Sequence, residues 1–303
     1  MGRLLLILLL LAGPAGAQRM LRVGPGGDVG WPSQAAAIAR AGDRVLIAPG
    51  TYTDCAIWRA PGLTIEAEGE VEIGGPVCGG KALFVMAAPD ATVIGVTFRG
   101  ATAPDENGAG IRAEGGNLTV RRSRFIENQN GILTMARMPE AALVVEDSVF
   151  LGNGYLGADC AHALYAGELA LVAIRRSRFE ATRACHHVKS RAARTEIVET
   201  LIADGLAGGA AYLVDLPNGG ALLLRDSILR KGPRSANGRA AVVIGAEGLR
   251  HPPSDILVER TRFANLMPRP TTFLRNLSPA PALLRDVSFE GLVIPLEGPG
   301  ELR

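Results

Sequence analysis

Aromatic residues are scarce in this chain of 303 residues: eight Phe, four Tyr and two Trp make up 5% of it. That leaves little for a sugar-stacking platform and gives no help to a binder of neutral glycans. Lysine is scarcer still. Of 32 basic residues only Lys81, Lys189 and Lys231 are lysine, a bias that together with abundant Ala, Gly and Arg fits a GC-rich bacterial genome. An excess of one charge is also missing. The formal net charge is +2, or near +1 without Arg3, which excludes a strongly basic nucleic-acid binder but leaves room for a local basic patch. After the first residues no stretch approaches ~18 uninterrupted apolar residues, so the mature chain should carry no membrane span. No Asp-Asp or Asn-x-Asp cluster occurs. Asp215 and Glu247 are the only carboxylates offered for the paired chemistry of a glycoside hydrolase. His186 and His187 lack a third ligand close by, so neither metal nor cofactor is expected.

What the chain does have is a recurring phrase, aliphatic-x-x-Ser/Thr-x-Phe. Clear copies run Val120 to Phe125, Val145 to Phe150, Ile174 to Phe179 and Val258 to Phe263, and looser ones close at Phe98, Ile202, Leu229 and Phe289. The closing residues lie 27, 25, 29, 23, 27, 34 and 26 positions apart. Five positions earlier stands Val93, Val120, Val145, Ile174, Ile197, Leu224, Val258 or Leu284, and six copies carry Ser or Thr two before the close. Self-similarity at this period means a solenoid whose repeats bury their apolar faces by stacking.

The local pattern selects the kind of solenoid. Leu118-x-Val120, Leu143-x-Val145 and Leu222-x-Leu224 alternate with period two, the signature of strands with one face inward. Gly, Asn and Asp rather than a helical stripe separate the copies. Coils of about 25 residues accommodate three short strands, stacked at ~4.8 Å. The equivalent Phe rings then pile up inside, while Arg121, Glu146, Arg175, Arg225 and Glu259 face outward. A second strand per coil reads Ala109-Gly-Ile-Arg, Asn130-Gly-Ile-Leu, His162-Ala-Leu-Tyr, His187-Val-Lys-Ser, Tyr212-Leu-Val-Asp, Ala241-Val-Val-Ile and Thr272-Phe-Leu-Arg. Its chemistry changes from coil to coil, so a site is expected there.

Met1-Gly-Arg, the apolar Leu4 to Leu11 and Ala15-Gly16-Ala17 read as a secretory signal peptide over residues 1–17, implying a periplasmic or secreted bacterial protein. The expected division is a cap and first coil over 18–62, the solenoid over 63–293 and a tail over 294–303. Cys55/Cys78 and Cys160/Cys185 are spaced by about one coil and should pair as disulfides in an oxidising compartment, with free thiols the alternative. Ser33 to Ala41 reads as a short helix with Ser33 as N-cap and Gly42 as stop, covering the open sheet end.

The segment AIARAGDRVLIAPGTY that follows resembles the opening coil of pectate-lyase-like β-helix proteins. That resemblance implies an all-β, single-domain right-handed parallel β-helix, here of about eight to ten coils with an N-terminal capping helix. It does not select a reaction, because the scaffold hosts lyases, hydrolases, epimerases and binders.

The densest chemistry is Cys185-His-His-Val-Lys-Ser-Arg-Ala-Ala-Arg194. With Val188 inward, His187, Lys189 and Arg191 should share the outer face. Registering Cys160 on Cys185 sets His162 over His187. Asp215 follows Lys189 by 26 residues and Glu247 falls one coil on. These groups suit β-elimination of an acidic polysaccharide, in which a base takes the proton beside a uronate carboxylate, a cation neutralises that carboxylate and an acid protonates the departing oxygen. Lys189 is the candidate base, with His187 and Arg191 as neighbours that favour its neutral form. Arg191 or Arg194 is the bidentate carboxylate binder, a histidine or Tyr212 the acid, and His162, Asp215 and Glu247 further groove contacts. HHVKSRAARTEIVETLIAD also looks like the V-K-S segment of β-helix alginate and chondroitin lyases, which implies Lys189 as base. The arginine one coil later and the Asn/Glu calcium set of those families are missing here. The stretch from HHVKSRA to VVIGAEG is similar to uncharacterised bacterial β-helix proteins as well. The competing readings are a non-catalytic β-helix that binds glycan or serves the envelope, a solvated strand face for Lys189 and Arg191, and a turn-stabilising role for Asp215.

Overall fold

The Phe, aliphatic and Ser/Thr columns of the repeat each become a row of stacked neighbours. Phe98, Phe125, Phe150, Phe179, Ile202, Leu229, Phe263 and Phe289 are successive parallel-strand partners. So are Val93, Val120, Val145, Ile174, Ile197, Leu224, Val258 and Leu284. The computed structural model describes residues 18–157 and 159–303, and the expected leader over 1–17 lies outside the described residues. Strands occupy a 20-stranded sheet, which supplies two strands to a typical coil, and a 10-stranded sheet, which supplies the third. The winding makes about 11 turns, more than the eight to ten expected. Met20–Val23 already pairs with Arg44–Ile47 at the start, and Val293–Glu297 and Gly300–Leu302 pair onto the preceding coils at the other end. The fold is the expected single-domain right-handed parallel β-helix, all-β but for one short helix.

Three devices hold equivalent residues in register. Inside, the rings of Phe98, Phe125, Phe150 and Phe179 stack with centroids 5.2, 4.6 and 4.2 Å apart. Glycine makes room for them. A Cβ on Gly110 would come within 2.8 Å of the Phe125 ring, and one on Gly131 within 2.8 Å of the Phe150 ring. At the corner, the hydroxyls of Ser148, Ser177, Thr200 and Ser227 each do two jobs. Ser148 Oγ donates to the Glu146 carbonyl (2.7 Å) and accepts from the Ser123 N–H (3.2 Å). Ser177, Thr200 and Ser227 continue that ladder from coil to coil. The residue just before each hydroxyl is left-handed: Arg122, Asp147, Arg176, Glu199, Asp226 and Arg260 have φ of 44–52°. On the outer face opposite charges alternate, with Arg121 on Glu146 (2.9 Å) and Arg175 on Glu196 (3.1 Å).

Both disulfides join adjacent coils, Cys55–Cys78 and Cys160–Cys185, with Cα atoms 5.4 and 5.8 Å apart. The capping helix is Pro32–Ile38, shorter than expected and starting earlier. Trp31 is its N-cap rather than Ser33, with Pro32 opening the first turn. Gln34 Oε1 accepts from the N–H groups of Gly30 and Trp31, and the Asp54 carboxylate takes the Ser33 N–H at 2.8 Å. Ser33 therefore needs no hydroxyl cap. No helix among the described residues is long and apolar enough to cross a membrane.

Candidate functional site

The 10-stranded sheet presents two outward columns. One runs Asn130, His162, His186, Tyr212, and the other Leu133, Tyr165, Lys189, Asp215, Val243, Arg275. Lys189 and Asp215 are direct partners on adjacent strands, the one-coil offset expected from their spacing. Lys189 Nζ lies 3.6 Å from Asp215 Oδ2 and donates to Glu247 Oε1 at 2.7 Å. Arg191 Nη2 donates to the other oxygen of Glu247, Nη1 to Asn218 Oδ1 at 2.5 Å and Nε to the Tyr165 hydroxyl at 2.9 Å. The Tyr165 ring also lies within 5.7 Å of Lys189 Nζ.

His187 is not in this groove. The chain turns a corner at the start of the strand, so His187 and Val188 both point inward and both are fully buried. His187 Nδ1 meets Thr182 Oγ1 at 2.7 Å and Nε2 meets Asp204 Oδ1 at 2.8 Å, while Asp204 Oδ2 accepts from the Gly232 N–H. Its place outside is taken by His186, which stacks on His162 (4.8 Å) and lies against Tyr212 (5.0 Å). The expected stacking of His162 on His187 is thus off by one residue. Cys160 and Cys185 are 25 apart, but the strands they precede register 24 apart, His162 to His186. Arg194 is also elsewhere: it pairs with Glu196 at 2.7 Å on a strand of the 20-stranded sheet.

His186, Tyr165 and Asn218 escaped the sequence reading. Tyr165 stands in the same register as Lys189 and was within reach of one more coil offset. Asn218 reads as plain turn chemistry beside Gly219, and nothing in the sequence flags its contact with Arg191. The loop after Glu247 forms a wall, with His251 Nε2 against the Arg191 carbonyl at 2.9 Å and Arg250 on Glu168.

Burial sets the electrostatics. It pushes the Asp215 carboxyl up to about 6, helped by Glu247 and opposed by Lys189. It pulls His186 down to about 3, aided by the Lys189 cation, and holds His162 well below the ordinary imidazole range. Both imidazoles are neutral at pH 7. His186 Nδ1 accepts from the Tyr212 N–H, so its proton sits on Nε2, 3.4 Å from Asp215 Oδ2. Burial acts upward on Glu247 too, but hydrogen bonds from Lys189 and Arg191 outweigh it and hold that carboxyl below the usual range. Beneath the groove Lys231 is fully buried, donates to the Ala211 carbonyl at 2.7 Å and is brought down to about 8 by burial.

His162 Nδ1, Asp215 Oδ1, Asn218 Nδ2 and Asn130 Nδ2 are buried with no hydrogen-bond partner. Such atoms cost free energy that packing alone does not return, and here four collect on neighbouring coils of one face. The described residues hold no cluster of three or more metal-ligating side chains.

No family model matches the chain, and no curated protein matches it. Solved structures with similar winding do exist. A pectin methylesterase from Aspergillus niger is 11% identical, with a TM-score of 0.44 over 93% of this chain and 87% of that one. The A-module of the mannuronan C-5 epimerase AlgE4 from Azotobacter vinelandii is 11% identical, with a TM-score of 0.42 over 90% and 94%. ORF18 of Geobacillus virus E2 is 12% identical, with a TM-score of 0.43 over 86% and 53%. Likeness at that level leaves the chemistry to this chain's own residues.

Proposed function

We propose that the protein is a carbohydrate-active protein of the bacterial envelope or exterior, acting on an acidic polysaccharide by β-elimination. The observation that carries this is the seat of Glu247. Its carboxylate bridges Lys189 and Arg191, yet its side chain is 45% exposed and its turn is flanked by Gly245 and Gly248, both at positive φ. Two cations therefore converge on a carboxylate held by a peripheral turn, and a uronate carboxylate fits the same two donors.

The structure alters the division of labour expected from the sequence. The Lys189 amine is engaged with Glu247 and faces Asp215, so its hydrogens are committed to carboxylates. We assign it, with Arg191, to neutralising the substrate carboxylate. Asp215 then takes the proton at C5. The C5–H electrons become the C4–C5 double bond as the C4–O4 bond breaks, and O4 departs with that bonding pair. Tyr165, whose oxygen already accepts from Arg191, has its own proton free for O4. An acid/base carboxyl near 6 suits this work at neutral pH. Two disulfides, and a leader expected over residues 1–17, support an oxidising location.

Purified protein incubated with polyuronates should release ultraviolet-absorbing unsaturated ends in step with reducing ends. Asp215→Asn should abolish that signal while the protein remains folded. Absence of unsaturated ends from every polyuronate would remove elimination. Affinity persisting without turnover would establish the second reading, glycan binding, which the full ion pairing of Lys189 favours.

A further inference from the structure

We propose that the same groove carries a second carboxylate seat at Lys81 and Arg112, so that it takes an acidic oligosaccharide long enough to reach from there to Lys189 and Arg191. This rests on the acidic-polysaccharide reading above and adds where the chain lies and how long it must be. The outward column continues from Lys189 through Tyr165 and Leu133 to Arg112, one coil at a time. Three strand spacings of ~4.8 Å separate the two cationic positions by roughly 14 Å along the solenoid axis.

The chemistry at the far position repeats that at the near one. Lys81 Nζ donates to Glu114 Oε1 at 2.7 Å, and Arg112 Nε lies 3.5 Å from the same oxygen. Two cations again share one carboxylate. Arg112 Nε is buried and makes no hydrogen bond, so its approach to Glu114 leaves this guanidinium donor unsatisfied. The residues enclose a cleft of about 310 Å³ whose lining includes Lys81, Arg112, Asn107, Thr134 and Tyr165. Tyr165 is thus a wall of this cleft and a partner of Arg191, which makes the two seats one continuous surface. Asp105 also lines the cleft, but its Oδ1 is turned to the Asn107 N–H of its own turn. Between the seats Gly167 presents no side chain. A polymer carrying a carboxylate on each sugar can place one at each seat and lay its intervening rings over Tyr165.

Calorimetric titration with oligogalacturonates and oligomannuronates, short (dimer, trimer) and long (hexamer and above), tests this. The wild type should bind the long oligomers about tenfold or more tighter than the short ones. Lys81→Gln and Arg112→Gln should each erase most of that gain and leave short-oligomer affinity unchanged. Arg191→Gln should weaken both. Lys81 is half-exposed, so Lys81→Gln keeps the test valid should Arg112→Gln fail to fold. Long-oligomer binding by the Lys81 and Arg112 variants at wild-type strength, or an equal loss for both lengths, overturns the second seat. In that case short-oligomer binding that still depends on Arg191 leaves the first seat standing. No binding of any oligouronate by the wild type overturns both.

Discussion

Replacing Asp215 with Asn should make the protein more stable at neutral pH and make no difference in acid. Asp215 is 3% exposed, and burial lifts its carboxyl from 3.8 to about 6. The folded state therefore holds this proton more tightly than the unfolded chain does. As pH rises through the window from about 4 to about 6, the unfolded chain ionises first, and stability falls across that window. The difference of about 2 pH units corresponds to about 3 kcal/mol, all of it in place above pH 6. His186 works in the opposite sense. Its folded value of about 3 lies below the ordinary imidazole value of 6.5, so its contribution is complete above pH 6.5 and is lost as pH falls toward 3. In the wild type the two slopes oppose each other between pH 4 and 6. In Asp215→Asn only the histidine slopes remain. Urea titrations at intervals from pH 4 to 8 would show a wild-type curve that climbs gently, because His162 adds a second slope of the same sign as His186, and a variant curve climbing above it by up to about 3 kcal/mol. A variant no more stable than the wild type at pH 7, or one whose advantage grows on acidification, would refute the electrostatic account of Asp215. Elimination activity in the wild type should itself decline as pH falls through 6, because the base must be ionised.

Two further outcomes test the scaffold. Phe150 lies fully buried between Phe125 and Phe179, so Phe150→Ala should cost about 3–5 kcal/mol in chemical denaturation, whereas Phe150→Leu should cost far less. His187→Ala strips Asp204 of its buried partner and should cost about 3–5 kcal/mol, yet leave oligouronate affinity of the folded protein unchanged. Weakened affinity without lost stability would return His187 to the groove.

The fold was legible because stacking turns chain distance into neighbourhood: residues one lap apart must pack, so the sequence has to repeat. Phe125, Phe150 and Phe179 are spaced by that requirement, and so is the Ser123, Ser148, Ser177 ladder. The placing of Asp215 beside Lys189 followed from the same arithmetic, because both lie in straight strand segments. His187 did not follow. Period-two alternation fails where the chain rounds a corner, and there two consecutive residues face inward. Only the partners Thr182 and Asp204, at the preceding and following turns, reveal the side to which the imidazole points. Arg194 misled for a related reason: three residues beyond Arg191 the chain has already passed onto the next sheet. The joining of Lys189 and Arg191 by Glu247 depends on a loop path that no repeat dictates.

What the fold does not require of the groove supports the proposed site. One coil beyond Asp215, in the same register, stands Val243, fully buried and in need of no partner. A valine at position 215 would satisfy the stack equally well. The chain instead keeps a buried carboxyl with one oxygen unpaired, beside two neutral imidazoles, one of them His162 with an unpaired nitrogen, and an amide of Asn218 left without an acceptor. Each of these lowers stability and none is needed to close a coil. Repeat proteins tolerate such costs locally because each coil answers only to its neighbours. A cluster of four unpaired polar atoms on adjacent coils favours a ligand that supplies the missing partners over packing alone, and the cations beside it fit the acidic ligand proposed above.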